Sequence, residues 1–287
     1  MISFSNNNLA NEFMTMDELR KACPMAFKSN PTNPDVSDRY VHANTATVIE
    51  DLGKLGWMPV QAKQCRAKKN SSGIRSFHML AFQNPNVKIV KQNADGTETT
   101  DAYPRIILTN SHDGFNSFKF MMGIYRLICS NGLVVADGEM INMTIRHINY
   151  SFDELRKVVN EAIKQVPNIV MTMNTMKNTE VTDEQKREMA TEVVKIRKNI
   201  EDDKKFSLDE DTIREILMPV REEDNGNDLW TVFNICQEKL IKGGYMALGN
   251  NNKVRKQRSI TSIKKDIDYN QRLWDVAMRY MPTTVAA

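Results

Sequence analysis

Apolar positions alternate with polar ones in the middle of the chain and recur every three or four residues after it. The pattern predicts a sheet followed by helices. From Trp57 to Lys68 the sequence reads as extended, Asn70-Ser71-Ser72-Gly73 breaks it, and Arg75 to Phe82 follows as a second strand. Together they form a candidate hairpin with a basic loop. Val87–Lys91 and Tyr103–Thr109 flank a turn at Asn93 to Gly96, with a short buried strand at Arg105–Thr109. Ser117 to Ile128 reads as a long strand with Phe118, Phe120, Met122 and Ile124 on one face. Asn131-Gly132 and Asp137-Gly138 are tight-turn dipeptides. Met140 to Ile148 alternates, with Ile141, Met143 and Ile145 inward and Asn142, Thr144 and Arg146 outward. Residues 57–148 therefore predict a largely antiparallel sheet of about five or six strands.

Helical signals surround this stretch. Thr15 with Glu18 makes a capping box for a short helix to Ala22, inside an otherwise irregular, Asn- and Pro-containing start. Thr45 to Leu55 reads as a helix with Ala46, Ile49, Leu52 and Leu55 on one face. Ser151 with Glu154 caps the next, and Pro167 is expected to end or kink it. Thr182 with Gln185 caps a helix to about Ile200. Leu208–Leu217, Asp228–Ile241 and Ser262–Met281 follow, with Gly243-Gly244 as a stop and Gly249 to Asn252 as a loop. The predicted class is α+β. It divides into an irregular segment 1–36, an α+β core 37–150, and a helical region 151–287.

Composition is that of a globular chain: 41% hydrophobic and 26% charged over 287 residues. Collagen-like, low-complexity and fully disordered classes are excluded. No apolar run reaches the length of a membrane span, and the Asn-rich start has no signal-peptide pattern. A cytoplasmic location is expected. Cys23, Cys65, Cys129 and Cys236 form no CxxC pair, and His42, His78, His112 and His147 show no metal-ligand spacing. Four reduced thiols, no metal and no cofactor are expected. The 18 methionines suit an adaptable core or partner surface.

Charge is segregated. Residues 201–228 carry 4 basic and 11 acidic groups, whereas 229–287 carry 10 basic and 4 acidic. The basic tail 253–265 holds Lys253, Arg255, Lys256, Arg258, Lys264 and Lys265. Such a run is either a phosphate-contacting surface or a partner for the acidic block. Tyr245, Tyr269 and Trp274 flank it and are candidates for stacking on bases. Lys63, Arg66, Lys68 and Lys69 in the hairpin, with Arg126 and Arg146, complete the candidate nucleic-acid-binding set. Arg126 interrupts an apolar strand, so its guanidinium needs either a phosphate or a carboxylate.

Candidate catalytic patterns are few. Walker, GxGxxG and HExxH motifs are missing from the sequence. Ser111-His112-Asp113 has the letters of a triad, but adjacent residues point to alternating sides and cannot hydrogen-bond in series. Asn110, Ser111, His112, Asp113 and Gly114 read as a polar turn after a buried strand, a favoured place for function. Asn131 opens a second such turn. A hydrolase would require His112, Asp113 and His147 to converge.

Particular segments look familiar. They are Ser37-Asp38-Arg39-Tyr40 with Thr45 to Trp57, Phe77-His78-Met79-Leu80, Asn110 to Gly114, Arg126 to Gly132, Ile145-Arg146-His147 and Trp230 to Asn234. In these the chain resembles a phage- and plasmid-borne family known as domain of unknown function 932/945, or uncharacterised protein family 0380. The resemblance implies a mobile-element origin and no defined biochemistry. A helix leading into an antiparallel sheet and then helices is also similar to the layout of ring-forming phage annealing proteins, an analogy of fold alone. Two readings follow. One is a single-stranded nucleic-acid-binding protein, an annealing or recombination accessory that forms a homo-oligomer. The other is a non-enzymatic module that binds a host defence or regulatory protein.

Overall fold

The computed structural model describes residues 13–33, 36, 42, 44–65, 76–92, 96–116, 118–126, 132–134, 143–144, 151–200, 206–248 and 253–282. The chain divides into two compact units, 1–166 and 167–287. It is an α+β protein with an antiparallel sheet in the first unit and a helical second half.

In the first unit, helix α1 spans Met16–Ala22 behind the Thr15–Glu18 capping box. Helix α2 spans Thr45–Lys54; the Asn44 side chain accepts from Ala46 N and fixes its start. Val48, Ile49 and Leu52 are its buried stripe. The strands are β1 Met58–Gln64, β2 His78–Gln83, β3 Ile89–Gln92, β4 Glu98–Asn110, β5 Lys119–Arg126, β6 Gly132–Val134 and β7 Met143–Thr144. They run in the order β1-β2-β4-β5-β6, with β3 also on β4 and β7 on β5. The sheet thus has seven strands, because the stretch after Arg126 contributes two short pieces: β6, which no alternation marks, and β7, which lies inside the alternating Met140–Ile148 run.

Strand β4 is longer than its apolar run. Its first part pairs with β3 up to Ala102, and its second pairs with β2 from Arg105 onward. Pro104 sits in the gap between these partners, where a missing N–H interrupts no ladder on that side. Both faces of β2 are buried, which is why it reads as a continuous run. One face packs Leu80, Phe82, Ile106, Leu108, Phe118 and Phe120 with α2 and Trp57. Leu155, Val158 and Val159 of helix α3 (Phe152–Lys177) close the same core. Leu19, Cys23 and Ala26 from the N-terminal segment enter it as well.

Pro167 does not end α3, which continues to Lys177. One proline removes a single backbone bond, and the ten residues beyond it keep their own.

The second unit holds α4 Asp183–Lys198, α5 Glu210–Leu217, α6 Leu229–Lys242 and α7 Ile263–Met278. Thr182, Asp209, Asp228 and Ser262 cap their N-termini through side-chain oxygens. Helices α4, α6 and α7 pack on one another around Met189, Val193, Phe233, Leu240, Leu273 and Trp274. Trp230 stacks on Phe233 at 5.9 Å, and Trp274 meets Phe233 edge-on at 5.7 Å. Between α6 and α7 lies a two-stranded ribbon, β8 Met246–Leu248 and β9 Val254–Lys256, which the sequence pattern does not predict.

This packing corrects one expectation. Tyr245, Tyr269 and Trp274 are core residues, exposed by 5% or less, and cannot stack on bases. Their apolar bodies fill the space between helices, so proximity to lysines in sequence says nothing of the face they occupy.

Candidate functional site

Three sequence segments that carry the family resemblance meet at one side chain. Thr45, the first residue of α2, is fully buried, and its Oγ1 lies 3.0 Å from His78 Nε2 and 3.1 Å from His112 Nε2. Asn110 Nδ2 donates to the same oxygen at 2.9 Å. His78 begins β2 and Asn110 ends β4, directly opposite each other, so the sheet brings them together beneath the start of α2.

Valence fixes the protons. His78 Nδ1 is 2.6 Å from the Ser76 carbonyl, which can only accept, so Nδ1 carries the proton. Burial pushes the His78 ring down to about 4, against the smaller upward pull of the Ser76 carbonyl and the Asp113 charge. The ring is therefore neutral, and its Nε2 accepts. Thr45 donates its one hydroxyl proton there and accepts from Asn110. Its second lone pair then accepts from His112, whose Nε2 must carry a proton. The hydroxyl is thus saturated by three partners.

A second layer supports this centre. Ser76 Oγ accepts from His112 N at 2.6 Å, and Ser76 N donates to Asp113 Oδ2 at 3.1 Å. Thr32 N donates to His112 O at 2.7 Å, and Asn33 Nδ2 to Asp113 O at 3.2 Å. Burial pushes the Asp113 carboxyl up, but hydrogen bonds from the Ser111 side chain and from the amides of Phe115 and Ser76 outweigh it. The group stays below the usual carboxylate range. His42 packs edge-on against His112 at 4.4 Å, and its Nε2 bonds the Lys28 carbonyl at 2.9 Å. Three of the four histidines, scattered in sequence, are neighbours in space.

Ser111, His112 and Asp113 form no triad. His112 Nε2 bonds Thr45 and not the Ser111 hydroxyl, and Asp113 is bonded directly by the Ser111 side chain and by the amides of Ser76 and Phe115, so the ring does not stand between them. His147 and Asn131 lie outside the described residues. Among the described residues no group of three or more His, Cys, Asp and Glu side chains is placed to hold a metal ion. Burial pushes the Cys23 thiol to about 11 and the Cys236 thiol to about 12, so neither is a nucleophile at neutral pH.

What the centre does is hold a loop. Gly114 takes a φ of 75°, in the left-handed region, and Phe115 N donates to Asp113 Oδ1 at 3.0 Å. Phe115 itself is 70% exposed. The polar turn read from the sequence stops at Gly114 and misses it. The signal is an aromatic residue directly after an Asp-Gly turn in an otherwise polar loop.

The basic residues lie on both units. Lys63 is half-buried on β1, opposite Met79. Arg126 ends β5, opposite Ala102. Arg66, Lys68, Lys69 and Arg146 lie outside the described residues, although the hairpin that would carry the first three is formed by β1 and β2.

In the second unit Lys253, Arg255, Lys256, Arg258, Lys264 and Lys265 are all exposed on or just around and after β9. The ribbon is fixed at its base. Gly244 N donates to Gln257 O at 2.9 Å and Gln257 N to Tyr245 O at 2.8 Å. Glu215 accepts from Met246 N at 2.7 Å. The Arg197 guanidinium bonds the Leu240 carbonyl at 2.6 Å and also the Arg258 carbonyl.

Part of the acidic block is committed: Glu215 holds the ribbon at the Met246 amide, and others cap helices or pair within the second unit. Asp209 and Asp228 cap helices, Asp211 pairs with Arg214, Glu210 with Arg187, and Asp224 with Arg221. Among the described residues no salt bridge reaches Lys253, Arg255, Lys256 or Arg258.

A model of the family described as Domain of unknown function (DUF932) matches residues 35–274. The chain belongs to the DUF932 family. Two similar proteins of Escherichia coli (strain K12), UPF0380 protein YafZ and UPF0380 protein YfjQ, are each 27% identical to it over 271 residues. Each alignment covers 92% of this chain and 90% of the relative. No solved structure matches it. The DUF932 span takes in Thr45, His78, Asn110 to Phe115 and the whole ribbon, and leaves out Thr32 and Asn33. No helix among the described residues is long and apolar enough to cross a membrane.

The histidine assignment has a pH consequence. Above 6.5 the His78 ring is neutral whether the chain is folded or not. Between 6.5 and about 4 the unfolded chain takes up a proton that the folded chain refuses, so stability falls with falling pH. The loss across that window is about 3 kcal/mol. Urea melts at neutral pH and near pH 4, with an NMR titration of the His78 ring, measure it. A ring that titrates at its ordinary value in the folded protein would contradict the assignment.

Proposed function

We propose that this chain binds single-stranded nucleic acid through the β8–β9 ribbon. The observation that carries the reading is the ribbon's charge: Lys253, Arg255, Lys256 and Arg258 are exposed on an anchored support, and among the described residues no salt bridge reaches them. Cations in such a setting suit the phosphate backbone. Lys264 and Lys265 add charge close by. They sit in the first turn of α7, where the helix's own partial positive charge disfavours cations and favours a phosphate. In this reading the protein acts on phage or plasmid strands in the host cytoplasm, as an oligomeric annealing or recombination accessory. The mobile-element resemblance supports that setting.

Fluorescence anisotropy with a labelled single-stranded oligonucleotide across a salt series is the test. Four phosphate contacts correspond to a log–log slope of about −3 for a single strand. Changing Lys253, Arg255, Lys256 and Arg258 to alanine should flatten that slope and weaken binding at least roughly tenfold. Binding that ignores salt, or that survives the four changes, would refute the proposal.

The second reading, a module for a host protein, is favoured by a different observation. Met218 and Val220 after α5 are 65% and 63% exposed, and Met218 edges a groove with Ile213 and Leu217. A stable partner that survives nuclease treatment would support it.

A further inference from the structure

The β8–β9 ribbon has one edge covered and one edge open. Gln257 N donates to Tyr245 O at 2.8 Å, and the register sets Met246 opposite Lys256 and Ala247 opposite Arg255. In an antiparallel pair the bonded positions alternate. Arg255 therefore directs its N–H and C=O at β8, while Val254 and Lys256 direct theirs outward. Met246 also points its backbone groups outward, from the β8 side, and there they are met. Its N–H donates to the Glu215 carboxylate at 2.7 Å, and its C=O accepts from Thr212 Oγ1 at 3.2 Å. The outer edge of β9 has no such cover among the described residues, and the strand is exposed along its whole length. It offers the N–H and C=O groups of Val254 and Lys256 in a row, an open template for strand pairing.

We propose that the outer edge of β9 is a docking site for an extended, acidic segment of a partner protein, which adds to the ribbon as a further strand. The open ladder groups require an extended backbone, because a strand presents donors and acceptors at the matching spacing. The side chains set its charge. Lys253, Arg255, Lys256 and Arg258 lie along this edge, and among the described residues no salt bridge reaches them. Arg255 and Lys256 stand on opposite faces of the ribbon, so carboxylates at successive positions of the added strand each meet a cation. The same charges exclude a second copy of β9, since like cations would then face one another. Val254, 60% exposed and on the face of Lys256, supplies an apolar contact. These cations are the ones assigned above to nucleic acid, so a docked strand blocks that ligand. The blocking rests on the nucleic-acid reading; the docking does not.

The experiment uses the full chain and a synthetic Glu-Thr repeat peptide, with a fully N-methylated version of the same charge and no backbone donor. Wild type should bind the first roughly tenfold more tightly, from the backbone hydrogen bonds that the second cannot make. The Val254 and Lys256 amides should become protected from hydrogen exchange in the complex. Val254→Pro removes one outward N–H at an edge position, where proline is tolerated, and leaves every cation in place. It should weaken the peptide and leave oligonucleotide affinity and its salt slope unchanged. The peptide pair tests the wild-type chain, so the result does not depend on how the variant folds. Equal binding of the two peptides, or binding of neither, overturns the docking site. Selective peptide binding without oligonucleotide binding overturns the nucleic-acid reading and supports the docking edge. If both ligands bind, the peptide should displace the oligonucleotide; simultaneous binding overturns the blocking.

Discussion

Thr45→Val is expected to destabilise the first unit by about 4 kcal/mol, because it leaves three buried polar groups without their shared partner. Valine matches threonine in shape, so packing changes little. What is lost is the oxygen. His78 Nε2 loses its donor, while His112 Nε2 and Asn110 Nδ2 lose their acceptor, all three in residues with no exposed surface. Each orphaned buried group costs about 1–3 kcal/mol, and the three are coupled through one atom, so the sum falls below simple addition. Thr45→Ser keeps the oxygen and loses one methyl, for about 1 kcal/mol. Hydrogen exchange at the amides of β2 and β4, with urea melts, distinguishes the two variants. Equal stability of the valine and serine proteins would mean that water or a rotated side chain replaces the hydroxyl.

Gly243→Ala is expected to cost a similar amount, about 4 kcal/mol, in the second unit, from backbone strain and a steric clash together. Gly243 follows α6 with φ 70° and ψ −130°, a conformation closed to residues with a side chain. A Cβ there would also overlap the Gln257 carbonyl, which is backbone and cannot swing away. Gly244 is the control. It has φ 90°, but the place its Cβ would take has nothing within 4 Å, so Gly244→Ala carries backbone strain alone, about 1–3 kcal/mol. Protection of the Gly244 and Gln257 amides reports the base of the ribbon directly. If the Gly243 variant keeps its stability and nucleic-acid affinity, the ribbon does not depend on this close approach.

The parts of the fold that are legible in the sequence are those with local causes. The Thr15–Glu18 and Thr182–Gln185 capping boxes and the alternation of β5 each lie within a few residues and form where expected, as does the span of α2, whose buried stripe keeps the expected Ile49 and Leu52 but takes Val48, with Ala46 and Leu55 only half-buried. The ribbon is not legible because its strands are three residues long, too short for any period to show. The misplaced aromatics have a related cause. In α7, Tyr269, Leu273, Trp274 and Ala277 follow helical spacing as one buried stripe, but their closeness to lysines in sequence suggests a surface instead. For the histidine centre, the loop at Asn110 to Gly114 stands out from its residues alone. Its partners do not, because Thr45 and His112 are 67 residues apart and only the completed sheet joins them.

The Thr45 hydroxyl also has a bearing on how the sheet is assembled. Apolar residues on β2 are buried on both faces, so hydrophobicity alone would tolerate that strand sliding by one position along β4. A slide of one residue would turn His78 to the opposite face and part it from Asn110, stranding polar groups at once. The three-way bond thus acts as a gauge of strand alignment. It penalises mispaired sheets that greasy contacts would accept, and so contributes uniqueness of fold as well as stability.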